Sequence, residues 1–250
     1  DEIDAVGRQR FVGIGGGASN TTGVFNSFFG RGAGSLNSTG SQNCSFGSFA
    51  GCSQSTAFSN SFYGASSGRF ATTGSGNSFF GSSAGQNTTI GTGNSFFGYV
   101  AGIDNTTGNQ NSFFGENSGG NNTAGDGNSF YGAFAGSTNT TGRRNAFLGY
   151  GAGASNTTGL ANSAVGTYAG FGSGDLLYAT AIGAEAIVNT SDTIVLGKTA
   201  GTHNGTFRPA DTVQIPGALN VNGSLNVGSF NANIVNANTQ FNIGGVRAFA

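Results

Sequence analysis

The chain lacks most of what a helical or catalytic globule needs. Methionine and tryptophan are absent, proline occurs twice, histidine once, and charged residues make up 8% of 250 residues. Gly, Asn, Ser and Thr dominate instead, with 48 glycines, so we expect negligible helix. No apolar run approaches the length of a transmembrane helix, so no membrane insertion is expected within this segment. A chain that starts at Asp1 and has no Met is expected to be a processed product or part of a longer protein.

The scarcity of charge also narrows the function. The formal net charge is −1 and the nine Lys and Arg are scattered, with Arg143-Arg144 as the only basic pair, which predicts no nucleic-acid partner. The ten acids are equally scattered, and His203 has no Cys or carboxylate cluster beside it. We therefore expect no catalytic residues, no metal site and no cofactor, and the chain is predicted not to be an enzyme.

One pentad, Asn-Ser-Phe-Phe-Gly, returns at a fixed distance along the chain. Its 17-residue period makes eleven repeats, or rungs, without insertion or deletion. The rungs begin at Gln9, Asn26, Asn43, Asn60, Asn77, Asn94, Asn111, Asn128, Asn145, Asn162 and Ala179. Disordered chains have few aromatics, whereas this one has 23 Phe in strict register. A fixed period of this size predicts an all-β parallel β-roll, or β-solenoid, in which each rung stacks on the next.

Two apolar columns run through the rungs, counting the first pentad residue as position 1. Positions 3 and 4 face opposite sides of an extended strand, so one column fills the interior and the other faces outward. In six rungs both positions are aromatic, at Phe28-Phe29, Phe62-Tyr63, Phe79-Phe80, Phe96-Phe97, Phe113-Phe114 and Phe130-Tyr131. An outward stripe of about eleven apolar side chains exceeds what a soluble monomer usually exposes. We predict that these residues form the core and an intersubunit interface of a homo-oligomer.

The remaining positions predict how a rung turns. Position 5 is always Gly, which indicates a bend or a positive φ, and position 8 is always small, which allows a second wall to approach closely. Asn-Thr-Thr-Gly turns follow near position 12 at Asn20, Asn105, Asn139 and Asn156, and the Asn of the pentad is expected to form a hydrogen-bonded ladder. Stacking at about 4.8 Å per rung predicts a rod of about 50 Å.

The pattern changes after Ile182. Thr193-Ile194-Val195-Leu196-Gly197 repeats the pentad after a shorter, 14-residue step from Ala179. A loop and alternating apolar residues follow, at Val213, Ile215, Leu219, Val221, Leu225, Val227, Ile234, Phe241 and Ile243. Period-2 alternation predicts short strands. We divide the chain into a lead-in (1–8), the repeat domain (9–197) and an extended stalk or connector (198–250) whose strands intertwine with partner chains.

Residues 179–186 (ATAIGAEA) and 191–197 (SDTIVLG) resemble the head repeats of trimeric autotransporter adhesins of the YadA type, whose repeat has the same length as this last step. The resemblance implies a parallel, left-handed β-roll with three chains side by side on a bacterial surface. The 17-residue rungs look more like repeats of bacterial and phage tail-fibre-like proteins that end in an intramolecular chaperone. In those proteins an IGG-x-R segment, here residues 243–247, precedes such rungs, which implies head-to-tail repetition of the unit.

Cys44 and Cys52 stand at positions 2 and 10 of one rung. In a surface protein they predict a disulfide, and in a reduced protein two free thiols.

These observations predict a structural and adhesive module of an extracellular bacterial or phage fibre. It is expected to be homotrimeric, to bind a surface receptor or matrix, and in one alternative to polymerise head to tail.

An ice-binding or ligand-binding solenoid is the alternative, because Thr pairs recur at Thr21, Thr88, Thr106, Thr140 and Thr157. These pairs skip rungs and shift register at Asn87, which disfavours a match to the ice lattice. A disordered Phe-Gly mesh is disfavoured, since it needs no equal spacing.

Overall fold

The computed structural model describes residues 9–203, 206–216, 219–222, 241–243 and 246–249, and the described residues contain strands and turns but no helix. The rungs form a parallel β-solenoid of about 11 turns, so the predicted all-β fold with 17-residue rungs is confirmed. The chain divides into two compact units, Asp1–Val213 and Gln214–Ala250.

Positions 2 to 4 of each rung form a three-residue strand, and these strands stack into one parallel sheet. The sheet has 12 strands in the order β1 to β10, then β12 and β14. They are β1 (Arg10–Val12), β2 (Ser27–Phe29), β3 (Cys44–Phe46), β4 (Ser61–Tyr63), β5 (Ser78–Phe80), β6 (Ser95–Phe97), β7 (Ser112–Phe114), β8 (Ser129–Tyr131), β9 (Ala146–Leu148), β10 (Ser163–Val165), β12 (Thr180–Ile182) and β14 (Ile194–Leu196). A separate parallel pair joins β11 (Gly170–Phe171) to β13 (Ile187–Val188).

The strand register follows the repeat. Phe79 pairs with Phe96, and Phe96 pairs with Phe113, so partners are always one repeat apart. The last pairing joins Ala181 to Val195 and so confirms the shorter final step. Because equal positions always meet, each column of the sequence becomes a column in space.

Position 3 is the interior column. The rings of Phe62, Phe79, Phe96, Phe113 and Phe130 have no exposed surface. Successive centroids lie 4.7–4.9 Å apart, which is the spacing of neighbouring strands. The small residues at position 8 are buried opposite this column. Position 3 therefore supplies a buried stack of aromatic rings along the solenoid interior.

Position 1 is a buried polar column. The nine asparagines from Asn26 to Asn162 are at most 1% exposed. The Asn94 Oδ1 accepts a hydrogen bond from the Asn111 backbone N–H at 3.0 Å, and the Asn94 Nδ2 donates to the Gly108 carbonyl at 2.9 Å. Equivalent pairs recur in the other rungs, which confirms the predicted ladder. The ladder satisfies polar groups whose burial without partners costs about 1–3 kcal/mol each.

The turns depend on left-handed backbone. Gly98, at position 5, has φ of 144°, and a Cβ there would lie 2.4 Å from the Gly115 carbonyl oxygen. The predicted bend at position 5 is thus confirmed. Position 7 is also left-handed in every rung, including Val100 with φ of 50° and Phe134 with φ of 60°. The left-handed backbone at position 7 cannot be predicted from the sequence, because the residue type at this position varies.

The solenoid ends near Leu196. Lys198 pairs with the Asp211 carboxylate, and β15 (Gly201–His203) pairs antiparallel with β16 (Thr206–Arg208). In the second unit, β17 (Phe241–Ile243) pairs antiparallel with β18 (Val246–Phe249).

The alternating apolar residues after Asp211 lie in strands only in part: Phe241 and Ile243 lie in β17, as predicted. Val213, Ile215, Leu219 and Val221 are exposed and lie outside strands, so the predicted strands are wrong there. Alternation alone does not make a strand without a partner edge, and none pairs with these residues in the described part of the chain. The lead-in at 1–8 and Leu225, Val227 and Ile234 lie outside the described residues. The intertwined connector stays a prediction.

Candidate functional site

Position 4 forms an apolar column on the outside of the solenoid, called here the outer stripe. Its members are Val12, Phe29, Phe46, Tyr63, Phe80, Phe97, Phe114, Tyr131, Leu148, Val165, Ile182 and Leu196. The seven aromatic rings stack with centroids 4.5–5.0 Å apart and interplanar angles of 4–8°. Its phenylalanines are half-buried, whereas Tyr63, Tyr131 and Leu148 are 36%, 41% and 54% exposed. The prediction that positions 3 and 4 face opposite sides is confirmed.

The flanks of the outer stripe carry little charge. Position 2 beside it is Ser from Ser61 to Ser129, and position 6 is small or aromatic from Ser48 to Tyr99. At positions 2 and 6 of these rungs the charged residues are Arg10, whose guanidinium lies 5.4 Å from the Phe29 ring, Arg31, Glu116 and Lys198. A surface that covers the stripe from Tyr63 to Phe97 therefore need not desolvate an ion.

Positions 13 and 14 form a second repetitive surface, called here the hydroxyl array. Each position-13 hydroxyl donates to the position-13 carbonyl of the next rung at 2.9–3.2 Å. These residues are Thr21, Ser38, Ser55, Thr72, Thr89, Thr106, Thr123, Thr140 and Thr157. Position 14 adds exposed threonines at Thr22, Thr39, Thr56, Thr73, Thr107, Thr141 and Thr158.

The hydroxyl array is more continuous than Thr pairs in the sequence suggest. Ser38 and Ser55 donate as the threonines do, so position 13 skips no rung. At Asn87 the Thr pair shifts by one residue, which buries Thr88 at position 12 but leaves Thr89 in the column. The expected interruption is wrong for position 13, whereas position 14 is interrupted by Ile90 and Ala124. Alignment of all rungs by position, rather than a search for Thr-Thr, is the signal that finds this column.

Rung 43–59 is built differently from its neighbours. Ser45 occupies the interior position where the adjacent rungs carry Phe28 and Phe62, and Gln54 occupies the position where the preceding rung carries Asn37. Both are fully buried. The Gln54 side chain reaches the space that Phe would fill, with Oε1 3.5 Å from Ser45 Oγ and Nε2 3.3 Å from Asn43 Oδ1. Asn37 Oδ1 in turn has no partner among the described residues.

Both cysteines lie on this rung as free, half-buried thiols. The Cys44 Sγ lies 3.1 Å from the Tyr63 hydroxyl, and the Cys52 Sγ lies 3.2 Å from Ser35 Oγ. The hydrogen bond to Cys44, followed by partial burial, raises the pKa of Tyr63 above its usual value. A disulfide between the two cysteines stays a prediction.

Arginine and aromatic side chains cluster beside the same rung. The Phe49 ring lies between Arg31 at 5.3 Å and Arg69 at 5.0 Å, and Arg69 also lies 5.2 Å from the Phe70 ring. Such contacts contribute about 0.5–1 kcal/mol at exposed sites. This cluster was not predicted, because its members stand at positions 6, 7, 10 and 11 of three rungs.

Metal sites and membrane-spanning helices were also sought within the described parts of the chain. No group of three or more His, Cys, Asp or Glu is placed to hold a metal ion. No described helix is long and apolar enough to cross a bilayer.

No protein family, no curated protein and no solved structure matches this chain. The solenoid of 17-residue rungs is consistent with a repeat protein, and the likeness to trimeric autotransporter heads and tail fibres stays a prediction.

Proposed function

We propose that the chain is a structural module of an extracellular fibre, and that its outer stripe packs against copies of the same chain. The observation that carries the proposal is the stripe itself: an unbroken apolar column along the sheet, with uncharged flanks from Tyr63 to Phe97. An adhesive contact to a surface receptor or matrix, and a location on a bacterial cell or virion, belong to the same proposal.

The physical need for a partner comes from the geometry of position 4. Stacking covers the faces of the aromatic rings, but their outer edges stay in water, and Leu148, Val165, Ile182 and Leu196 are each 40–54% exposed. Contiguous exposed apolar surface of this length is unusual on a soluble monomer. Burying it contributes about 25 cal/mol for each Å² removed from water.

A second copy fits this surface because its period is the same. Another solenoid presents side chains at the same strand spacing, so parallel copies in register meet rung against rung along the whole stripe. Three copies around a common axis would enclose three stripes, which gives the trimer implied by the autotransporter resemblance. Head-to-tail polymerisation through 198–250 would extend the same rod.

The native mass in solution tests this proposal. Light scattering coupled to size exclusion is expected to give three times 24.8 kDa for the wild type. Phe97→Ser and Leu148→Ser should lower the mass toward one chain, while Thr107→Ser, in the exposed hydroxyl array, should leave it unchanged. A mass of one chain for the wild type over the whole concentration range would overturn the proposal, and an open-ended mass would favour filaments.

The hydroxyl array favours a second candidate, ice binding. Its position-13 column is unbroken over nine rungs, and position 14 adds seven exposed threonines. Regular spacing near 4.8 Å gives a lattice of hydroxyls that bound water could match. Thermal hysteresis of the purified protein decides: a hysteresis that Thr73→Lys and Thr107→Lys abolish would establish ice binding, and none at all would remove this candidate.

A further inference from the structure

A groove of about 610 Å³ crosses four consecutive rungs, away from the outer stripe. Its walls are formed by positions 14 and 16, with Arg144 from position 17, and position 15 is a buried glycine at Gly125, Gly142 and Gly159. These glycines face the interior, where a Cβ at Gly142 would lie 2.2 Å from Asn139 Oδ1, so the groove floor is backbone and the longer side chains stand on either side of it.

One wall is apolar and the other carries hydroxyls. Leu160 is bridged in parallel register to Arg143 and to Leu177, so the two leucines stack along the groove. Leu177 is 42% exposed. Thr141 and Thr158 line the opposite side, both exposed, and within the described parts of the chain neither hydroxyl has a protein partner.

The charges in the groove do not cancel. Asp126 makes three interactions: its Oδ1 accepts from the Asn109 backbone N–H at 2.8 Å and from Asn109 Nδ2 at 3.2 Å, and its Oδ2 lies 3.5 Å from Arg143 Nε. The Arg144 guanidinium has no carboxylate within ion-pair distance among the described residues. Its backbone is anchored, because the Arg144 N–H donates to the Asp126 carbonyl at 2.9 Å. One acid against two arginines leaves the lining with a formal charge of +1.

We propose that this groove binds a saccharide chain that carries carboxylates. Arg144 would pair with a carboxylate, since guanidinium and carboxylate form two parallel charge-assisted hydrogen bonds. Thr141 and Thr158 would bond ring hydroxyls, and the leucines would cover the apolar face of a sugar ring. A few placed polar groups beside an apolar wall are typical of ligand sites.

Each part of the lining argues against a simpler ligand. A small inorganic anion would use Arg144 but gain nothing from Leu160 and Leu177. A neutral saccharide would leave the guanidinium without a counter-charge. The repeat of Thr and Leu from one rung to the next, about 4.8 Å apart, favours a ligand that is itself a chain.

The test is calorimetric titration of the full chain with trigalacturonate, beside maltotriose as the neutral saccharide and triglutamate as the acidic peptide. Trigalacturonate is expected to bind most tightly of the three. Arg144→Gln is expected to weaken its binding about tenfold or more, because a hydrogen-bonded charge pair is lost. Leu177→Ser should weaken it by a smaller factor.

Arg69→Gln is the matched control, because it removes the same charge from the Phe49 and Phe70 cluster outside the groove. It should leave binding unchanged, and circular dichroism of every variant should match the wild type. The proposal would be overturned by no binding of trigalacturonate, by equal weakening in Arg69→Gln and Arg144→Gln, or by tighter binding of triglutamate. Equal binding of inorganic sulfate would reduce the site to a general anion contact and overturn the saccharide assignment.

Discussion

Rungs 43–59 and 94–110 occupy equivalent places in the solenoid but fill its interior with different side chains. In rung 94–110 the Phe96 ring stacks on both neighbours at 4.7 and 4.8 Å. In rung 43–59 the stack is interrupted by Ser45, and Gln54 from the same rung reaches into the space.

The backbone has the same pairing in both rungs. Ser45 pairs in the sheet with Phe28 and Phe62, and the Asn43 N–H still donates to Asn26 Oδ1 at 3.0 Å. A rung must therefore keep its interior filled and its buried polar groups hydrogen-bonded. A smaller side chain at position 3 can be compensated by a larger one at position 12.

The largest expected effect comes from breaking the regular stack. Phe96→Ala should destabilise the protein by about 3–5 kcal/mol, because it removes a fully buried ring from between two others. Phe28→Ala should fall at the low end of that range, since Ser45 already leaves one face of Phe28 without an aromatic neighbour. Urea unfolding followed by circular dichroism measures both. Equal losses would show that ring stacking adds nothing to burial.

The exchange between Ser45 and Gln54 can be tested by converting the irregular rung into a regular one. Ser45→Phe alone overfills the space that Gln54 occupies, and Gln54→Asn alone leaves a cavity. The double variant should restore the aromatic stack at position 3, because a ring in this rung would join Phe28 to Phe62. The shorter amide at position 12 would then give Asn37 Oδ1 a donor.

A double-mutant cycle by urea unfolding should show a favourable coupling of about 1–3 kcal/mol. Additive effects would mean that the two residues do not share one space. The pair Ser78→Ala and Thr106→Ala, on separate columns, is the additive control.

The backbone at position 7 is left-handed in both rungs, so the strain at this position can be compared between them. Val100→Gly should stabilise by about 0.5–1 kcal/mol, because a left-handed conformation is unfavourable for a branched side chain and free for Gly. Phe49→Gly should stabilise less or destabilise, since it also removes the ring between Arg31 and Arg69. Thermal unfolding measures the pair, and a loss of stability in Val100→Gly would contradict the strain argument.

The smallest effect concerns the thiol of the irregular rung. Cys44→Ala should lower the pKa of Tyr63 toward its usual value of about 10, because the hydrogen bond with this thiol is the main cause of the shift. A group whose pKa is higher in the folded state stabilises the fold at pH values below its unfolded-state pKa. That stabilisation is lost as the pH rises through the folded-state pKa. Wild type should therefore lose its small advantage over Cys44→Ala above pH of about 10.

Ultraviolet difference titration of the tyrosines measures this change. Cys52→Ala, whose thiol contacts Ser35 instead, should leave the Tyr63 titration unchanged. An unchanged titration in Cys44→Ala would show that burial alone shifts the Tyr63 pKa.

Most of the repeat domain was predictable because its order is one-dimensional. A 17-residue period without insertions dictates which residues stack, so the Phe96 column, the Asn94 ladder and the bend at Gly98 follow from position alone. The alternation of a strand then separates Phe96 from Phe97.

The remainder was not predictable because it depends on partners far apart in a rung. Gln54 fills the space beside Ser45 only once the turns bring position 12 over position 3. Ser38 and Ser55 join the hydroxyl array only because the backbone aligns position 13 in all rungs. The groove at Arg144 likewise needs Leu177, which stands two rungs further along the chain.

By itself the sequence determined the architecture of this protein: the period, the interior and exterior columns, and the points at which the chain bends. Tertiary structure alone decided which side chains share a space and which surfaces are continuous. The reason is physical. Stacking relates equal positions of successive rungs, which the period reveals, whereas contacts across a rung depend on how the turns close it.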